Sequence, residues 1–306
     1  MINPKVSIII PVYNGSDYVR QAIDSALSQT YENVEVIVVN DGSTDGGKTD
    51  AVCKEYGDKI KYYLKENGKC SSALNYGISK MTGEYFSWLS HDDLYDNEKI
   101  AKQIEAIEKY NIDTAKTIIG CAGCLINAEG NFIQYRKNST DGFNKSDKEL
   151  YNLFFKGTPN GNCFLISKEI LQVVGAFDTS LVFINDWDYW VRVALKGIDY
   201  FYLPDYLTKT RIHRLQQTNF LYNLHNDEII KSISNRIEEN SYTKSSYAII
   251  YYYCCYFGDG NLRKTVKKYL LKNNICVSFF KVFYYSVYGG IIRFLKNIKH
   301  KIRYRK

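Results

Sequence analysis

Beyond Asp259 the 306-residue chain contains no acidic residue. From Gly260 to Lys306 it carries thirteen Lys or Arg, so residues 1–259 balance at −6 although the whole chain stands at +7. The basic character therefore belongs to the tail, which excludes reading the main body as a nucleic-acid binder. The eight cysteines lack the spacing of a small secreted disulfide framework. Cys121 and Cys124 form a CxxC with no second pair and no nearby His, and their setting, IIGCAGCLI, reads as a buried strand with inert thiols rather than a zinc site. The opening MINPKVSIIIPVY has an apolar run too short and too β-branched for a signal peptide, so a reduced, cytoplasmic location is expected. No GxGxxG follows the first apolar run, so a dinucleotide fingerprint is missing. An apolar content of 45% supports a real core and excludes global disorder.

What is present centres on Glu84–Leu94, EYFSWLSHDDL. Tyr85, Phe86, Trp88 and Leu89 are strand-prone, and the run ends in the adjacent carboxylates Asp92 and Asp93. Carboxylates just beyond a buried strand sit where open α/β sheets bind ligands, and they suit a hard divalent cation that itself holds phosphate oxygens. An isolated Asp-Asp also serves as a solvated turn or a helix cap, so the rest of the chain decides.

Val6–Val12 (VSIIIPV) reads as a strand buried on both faces, with Pro11 ending its ladder and Asn14-Gly15 turning the chain. Ser16 is placed to cap a helix whose apolar residues Val19, Ala22, Ile23, Ala26 and Leu27 share one face. Residues 34–39 predict a second strand that runs into Asn40-Asp41-Gly42-Ser43-Thr44-Asp45. A helix to about Tyr56, a strand near 60–64 and a helix over 72–81 lead to the fourth strand. This alternation with short links implies right-handed crossovers and a parallel sheet, with Asp41 and Asp92 facing one crevice. Further on, 117–126 and 132–135 predict a hairpin, 162–167 a strand, and Asn185-Asp186-Trp187-Asp188 the start of a helix that Asp186 can cap. Residues 200–203 predict the last strand, with Arg211-Ile212-His213 on the loop after it.

From about Gln216 the pattern is helical without strands, giving expected domains of 1–215 and 216–306. Residues 275–295 have the length of a membrane span, but Lys281 and Arg293 lie inside and Gly289-Gly290 interrupts it. An amphipathic helix on an anionic membrane surface fits better, with seven basic residues between Ile291 and Lys306 meeting headgroups. This reading gives a peripheral position on the inner face of the cytoplasmic membrane; the alternative is a helix packed on the main domain with a frayed basic tail.

Several pieces then fall in one order: VSIIIPVYN at 6–14, NDGSTD at 40–45, ENG at 66–68, SSALNYGI at 71–78, GEYFSWLSHDDL at 83–94, NDWDYWVR at 185–192 and RIHRLQQT at 211–218. Together they resemble the family 2 glycosyltransferases, inverting enzymes of the GT-A fold that use nucleotide-sugar donors. The resemblance implies an α/β, Rossmann-like GT-A sandwich with a mostly parallel central sheet and a C-terminal helical appendage. It implies that Pro11, Tyr13 and Asn14 line the nucleotide site, that Asp41 accepts from uracil with Ser43 in the same loop, and that Gly68 and Asn75 approach ribose and diphosphate. Asp92 and Asp93 match the end of the metal-binding DXD region, with His91 beside them facing the nucleotide as a solvated or hydrogen-bonded imidazole. Asp186 matches the catalytic base, and His213 a loop residue that reaches the metal or diphosphate. Asp93 and Trp187 are candidates for contact with acceptor or sugar.

The chain departs from the family at Ser90-His91-Asp92-Asp93, where members often read Asp-x-Asp-Asp. The hydroxyl leaves metal binding to Asp92 and His213, enough for Mn²⁺ or Mg²⁺ when donor phosphates and waters complete the shell. The implied reaction moves a sugar, most simply from a UDP-sugar, to a hydroxyl of a glycan or lipid-linked acceptor in surface polysaccharide synthesis. The competing reading is a non-catalytic nucleotide-sugar or glycan-binding protein of the same fold.

Overall fold

The structure is a computed structural model, and it describes residues 3–137, 141–214, 216, 224–236, 243–257 and 260–303. The first half lays down β1 (Val6–Val12), α1 (Val19–Leu27), β2 (Val34–Asn40), α2 (Lys48–Lys54), β3 (Lys61–Leu64), α3 (Lys69–Lys80) and β4 (Tyr85–Trp88). Then come β5 (Leu94–Tyr95), α4 (Lys99–Lys109), β6 (Thr117–Ile126), β7 (Phe132–Arg136), β8 (Gly142–Asn144), α5 (Ser146–Phe155), β9 (Ile166–Ser167), α6 (Lys168–Val174), α7 (Asn185–Leu195) and β10 (Asp199–Arg211). Four helices close the described chain: α8 (His225–Arg236), α9 (Lys244–Phe257), α10 (Gly260–Lys272) and α11 (Phe279–Arg303).

The first sheet runs β3-β2-β1-β4-β9, parallel except for β9 at its edge. Its order reverses between β1 and β4, so the loops after β1, β2 and β4 open into one crevice at a topological switch point. The parallel strands are nearly continuous apolar runs because helices cover both faces. The second sheet, β5-β10-β6-β7 with β8 against β10, is mixed: β6 and β10 are parallel and the other pairs antiparallel.

Several local expectations change. Pro11 does not end β1 but pairs with Val39 inside it. The β4 ladder stops opposite Ile9, where the Leu89 N–H donates to the Ile9 carbonyl. The missing N–H of Pro11 falls beyond that point and costs no ladder bond. Ser16 does not cap α1; the Gly15 carbonyl accepts from Tyr18 and Val19 instead. The strand expected over 162–167 shrinks to β9, because the Asn160 side chain accepts from the Asn162 N–H and folds Gly161–Cys163 into a 3₁₀ turn. The last strand is far longer than expected. Register shifts around Pro204 and Asp205 carry β10 past the proline, which puts Arg211 in a strand rather than a loop.

The C-terminal helices are no separate body. Ile229, Ile233, Tyr251, Cys254, Leu262 and Val266 belong to the same buried cluster as Trp190, Phe164 and Leu150 of the α/β part. Gly289 and Gly290 lie within α11 rather than breaking it. A Cβ on Gly289 would sit 2.1 Å from the Tyr256 carbonyl, so the glycine lets α11 press against the backbone of α9. Among the described residues no helix is long and apolar enough to cross a membrane.

Candidate functional site

The loops after β1 and β2 hold each other. The Asn14 N–H donates to Ser43 Oγ at 2.9 Å, the Asn14 side-chain oxygen accepts from the Thr44 N–H at 2.7 Å, and Tyr13 Oη lies 3.3 Å from Thr44 Oγ1. Asn14 adopts a left-handed backbone, which asparagine tolerates better than most residues. Gly15 is required for space: a Cβ there would meet the His91 ring at 2.4 Å. His91 thus lies over the β1 turn, beside the expected nucleotide residues.

Asp41 is 3% exposed. Its Oδ1 accepts from Lys65 Nζ at 2.7 Å, and both oxygens accept from the Gly68 N–H at 3.0 and 3.1 Å. The carboxylate therefore ties the β2 loop to the turn that starts α3. Asn75 is placed differently from expectation: its amide donates to the Phe177 carbonyl at 2.9 Å and accepts from the Phe177 N–H at 2.8 Å. This two-way bond pins α3 to the segment before α7, a positioning role rather than an approach to ribose.

The Asp92-Asp93 pair divides its work. Asp93 is 3% exposed; its Oδ1 accepts from the Arg211 N–H at 2.7 Å, and its Oδ2 from Asn160 Nδ2 at 3.3 Å and from Asn162 Nδ2. Burial, with Asp92 adjacent, pushes its carboxyl well above the usual range. Asp93 is an internal brace, and the expectation that it meets sugar or acceptor is corrected: both oxygens face buried donors. Asp92 instead turns toward the crevice, with Oδ2 3.0 Å from His213 Nε2. Burial pushes the Asp92 carboxyl up, but the His213 hydrogen bond and the nearby His91 outweigh it and hold the group below its usual value. Ser90 bonds Asn162 Oδ1 through both its N–H and its hydroxyl, at 2.9 and 3.2 Å.

Arg211 anchors this arrangement. It is fully buried; Nε donates to the Asp92 carbonyl at 2.8 Å, one terminal nitrogen to the Ala128 carbonyl at 2.8 Å, and the other to Gln21 Oε1 at 2.7 Å. Its guanidinium also lies 4.7 Å from the Tyr18 ring centre.

Asp186 sits in the first turn of α7, with Oδ1 accepting from the Trp187 N–H at 2.7 Å. Burial raises its carboxyl from 3.8 to about 6, against the opposing pull of that hydrogen bond. The turn before it is held by Glu228 of α8, whose oxygens accept from the N–H groups of Val182, Phe183 and Ile184 at 2.8, 2.9 and 3.0 Å. Asp188, two residues on and fully buried, is fixed by Arg192, Arg236 and Ser232. Trp187 does not face a sugar: its indole N–H donates to the Leu153 carbonyl at 3.1 Å and its ring packs edge-on against Phe154.

Cys70, at the start of α3, shows that the carboxylates converge. Burial pushes its thiol up to about 12, and Asp186, Asp41 and Asp92 all add to the rise. Three acidic groups from distant segments thus lie within electrostatic reach of one side chain, next to the N–H end of a helix that favours anions. Sequence reading missed Lys65, Asn160, Glu228 and the anchoring role of Arg211. Lys65 directly precedes the ENG segment, a signal within reach; the others act across 44 to 190 positions of chain and carry none.

Asp92 and His213 offer a carboxylate oxygen and an imidazole nitrogen 3.0 Å apart. That is close to the spacing of two neighbouring ligands at roughly 2.1 Å from one octahedral ion. Among the described residues no group of three or more His, Cys, Asp or Glu is gathered for a metal. Two protein ligands fit a cation whose other partners are donor phosphates and water.

A parallel sheet with a switch-point crevice, an acidic loop after β2 and a carboxylate–imidazole pair beyond β4 fit the GT-A fold. Residues 7–175 match the family described as "Glycosyl transferase family 2", and the chain belongs to that family. A glycosyltransferase of Rickettsia typhi is 46% identical over 222 residues, 72% of this chain and 68% of that protein. One from Rickettsia felis is 46% identical over 226 residues, but this chain spans only 37% of its length. The minor teichoic acid biosynthesis protein GgaB of Bacillus subtilis is 44% identical over 98 residues, 30% of this chain and 11% of that protein. Among solved structures, S. aureus TarS 1–349 in complex with UDP superposes with a TM-score of 0.62 at 17% identity, covering 84% of this chain and 73% of that one. The mannosyltransferase PcManGT of Pyrobaculum calidifontis, in complex with GDP-Man and Mn²⁺, gives 0.61 at 17% identity, covering 97% and 88%. The chain thus belongs to glycosyl transferase family 2 and shares the GT-A fold of these solved structures.

Proposed function

We propose that the chain is an inverting glycosyltransferase that moves a sugar from a UDP-sugar to a hydroxyl of a glycan or lipid-linked acceptor, in bacterial surface polysaccharide assembly. The observation that carries this reading is the convergence of Asp186, raised to about 6, with Asp92 and Asp41 around the start of α3. Asp186 takes the proton from the acceptor hydroxyl as that oxygen bonds to the anomeric carbon. The carbon's bond to the donor diphosphate breaks on the opposite face, which inverts the centre and releases UDP. A pKa near 6 lets Asp186 stand ionised at neutral pH while remaining basic enough to accept a proton. The β1 and β2 loops hold the nucleoside, with Asp41 bracing the β2 loop through Lys65 and Gly68. Asp92 and His213 are the residues that would hold a divalent cation, whose chemistry is to neutralise charge on the departing diphosphate. TarS with UDP and PcManGT with Mn²⁺ support the donor and metal classes; GgaB supports the surface-polymer setting.

A working position at a membrane surface is supported by α11. Phe280, Phe283, Tyr284, Val287, Tyr288 and Ile291 are exposed at helical spacing on one stripe, Phe280 by 83%. An apolar stripe next to a basic tail fits the interface of an anionic membrane. Sedimentation with phosphatidylglycerol but not phosphatidylcholine vesicles is expected; equal recovery with both would remove the electrostatic part.

The test of function is UDP release from a panel of UDP-sugars with and without Mn²⁺. Slow release that depends on metal is expected, and Asp92→Ala should abolish the metal dependence. Unchanged UDP affinity of Asp92→Ala in both conditions would sink the metal assignment.

A further inference from the structure

Between α5, the loop that follows it, β6 and β10 lies a cavity of about 310 Å³, lined among others by Arg136, Lys137, Lys156, Glu149, Asn160 and Thr210. Its size is at the lower end of the range for small-molecule sites, roughly 300–1,000 Å³. Three cationic side chains reach it from two elements, and among the described residues none of the three forms an ion pair. The acidic group at its floor is engaged by neutral donors. Glu149 is 1% exposed, and its oxygens accept from Tyr202 Oη at 2.8 Å and Asn152 Nδ2 at 3.2 Å. Burial pushes that carboxyl up, against the pull of those hydrogen bonds and of Lys148 and Lys156.

The cavity adjoins the transfer site. Asn160, in its wall, donates to Asp93 Oδ2 at 3.3 Å and to Thr210 Oγ1 at 2.7 Å, so one side chain braces both the acidic pair and the cavity. On the other flank Trp187, next to Asp186, is bonded to the Leu153 carbonyl of α5. The nucleotide loops of β1 and β2 line none of it.

We propose that this cavity is an anionic subsite for the acceptor, taking a phosphate group that the acceptor carries near the hydroxyl to be glycosylated. Cations with no ion pair among the described residues, around a ligand-sized space, favour a multiply charged oxyanion, and Arg136 adds the forked geometry that phosphate rewards. The proposal rests on the glycosyl-transfer reading and narrows its acceptor to a phosphate-bearing one. Two sources share that chemistry: a polyol-phosphate polymer and a prenyl-diphosphate-linked saccharide.

Inorganic phosphate titrated into the UDP-saturated full chain, followed by calorimetry, is the direct probe. Filling the nucleotide site with UDP first removes it as a competing phosphate site. Wild type should bind phosphate, and Arg136→Gln/Lys137→Gln/Lys156→Gln should lose at least tenfold in affinity, with UDP binding unchanged and the wild-type signal weakened in 0.5 M NaCl. Equal phosphate affinity in wild type and variant, or none in either, overturns the subsite. In transfer assays the triple variant should raise KM at least tenfold for whichever of the two acceptors is the source, polyol-phosphate oligomer or prenyl-diphosphate saccharide in micelles, with kcat and acceptor-free UDP release preserved. An unaltered KM for both, or equal transfer to a neutral oligosaccharide, overturns the proposal. Failure of wild type to release UDP from any UDP-sugar counts instead against the transfer reading, while the phosphate titration still decides the subsite.

Discussion

The two sides of the crevice are built by different means. On the proposed nucleotide side, residues 6 to 95, the candidate groups hang from loops that directly follow β1, β2 and β4, and most of their partners lie in the next such loop. On the proposed transfer side, Asp186 and the Asp92–His213 pair depend on side chains from far along the chain: Glu228 under α7, Arg211 under Asp92, Asn160 and Asn162 under Asp93. The first design localises damage to one loop; the second spreads it, because a buried polar network fails when one member is removed.

The largest effect should come from Asp186→Asn. Loss of the base is worth roughly 10² to 10⁴ in rate, so transfer should fall by that factor while UDP affinity stays within twofold. Wild-type activity should drop tenfold per pH unit below about 6, as the Asp186 carboxyl takes its proton, and level off above it. Because the folded group binds its proton more tightly than the unfolded one, stability contributed by Asp186 is present below about 4 and lost as pH rises through about 6. The Asn variant should accordingly melt no lower than wild type at pH 8. A wild-type rate in this variant removes Asp186 from the chemistry.

Arg211→Met comes next. It strands the Asp92 and Ala128 carbonyls, and each lost partner costs about 1–3 kcal/mol. Urea unfolding should show a loss of about 3 kcal/mol or more, and His213–Asp92 function should fail with it. Equal stability would mean that the transfer side is not held by this anchor.

Glu228→Ala sharpens the contrast, since it touches no expected ligand contact. Three N–H groups before α7 lose their acceptor, and kcat should fall about tenfold with little change in UDP affinity. If UDP affinity and kcat fell together, the two sides would not be separable. The smallest effect should be Trp187→Phe, which gives up one buried hydrogen bond worth about 1 kcal/mol and should leave donor sugar selectivity unchanged.

This division also marks what could be read from the chain in advance. The parallel strands were legible because residues buried on both faces write an unbroken apolar run, as in VSIIIPV and VEVIVV. Asp41 and Asp92 were legible because strand ends feed the crevice. Trp187 and Asp93 were misassigned for one reason: sequence gives the type of a side chain but not its direction. Arg211 was misplaced because the strand expected over 200–203 is carried onward past Pro204 by register shifts.

By itself, then, the sequence determined the order of strands and helices, the family and the candidate groups for the chemistry, since periodicity and strand-end position are local properties. Only the tertiary structure decided which carboxylate faces the crevice. Asp92 and Asp93 are neighbours of the same type, and they are told apart by His213 on one side and by Arg211, Asn160 and Asn162 on the other. Those partners lie 67 to 121 positions away, and only packing of the second sheet against the first brings them within hydrogen-bonding reach.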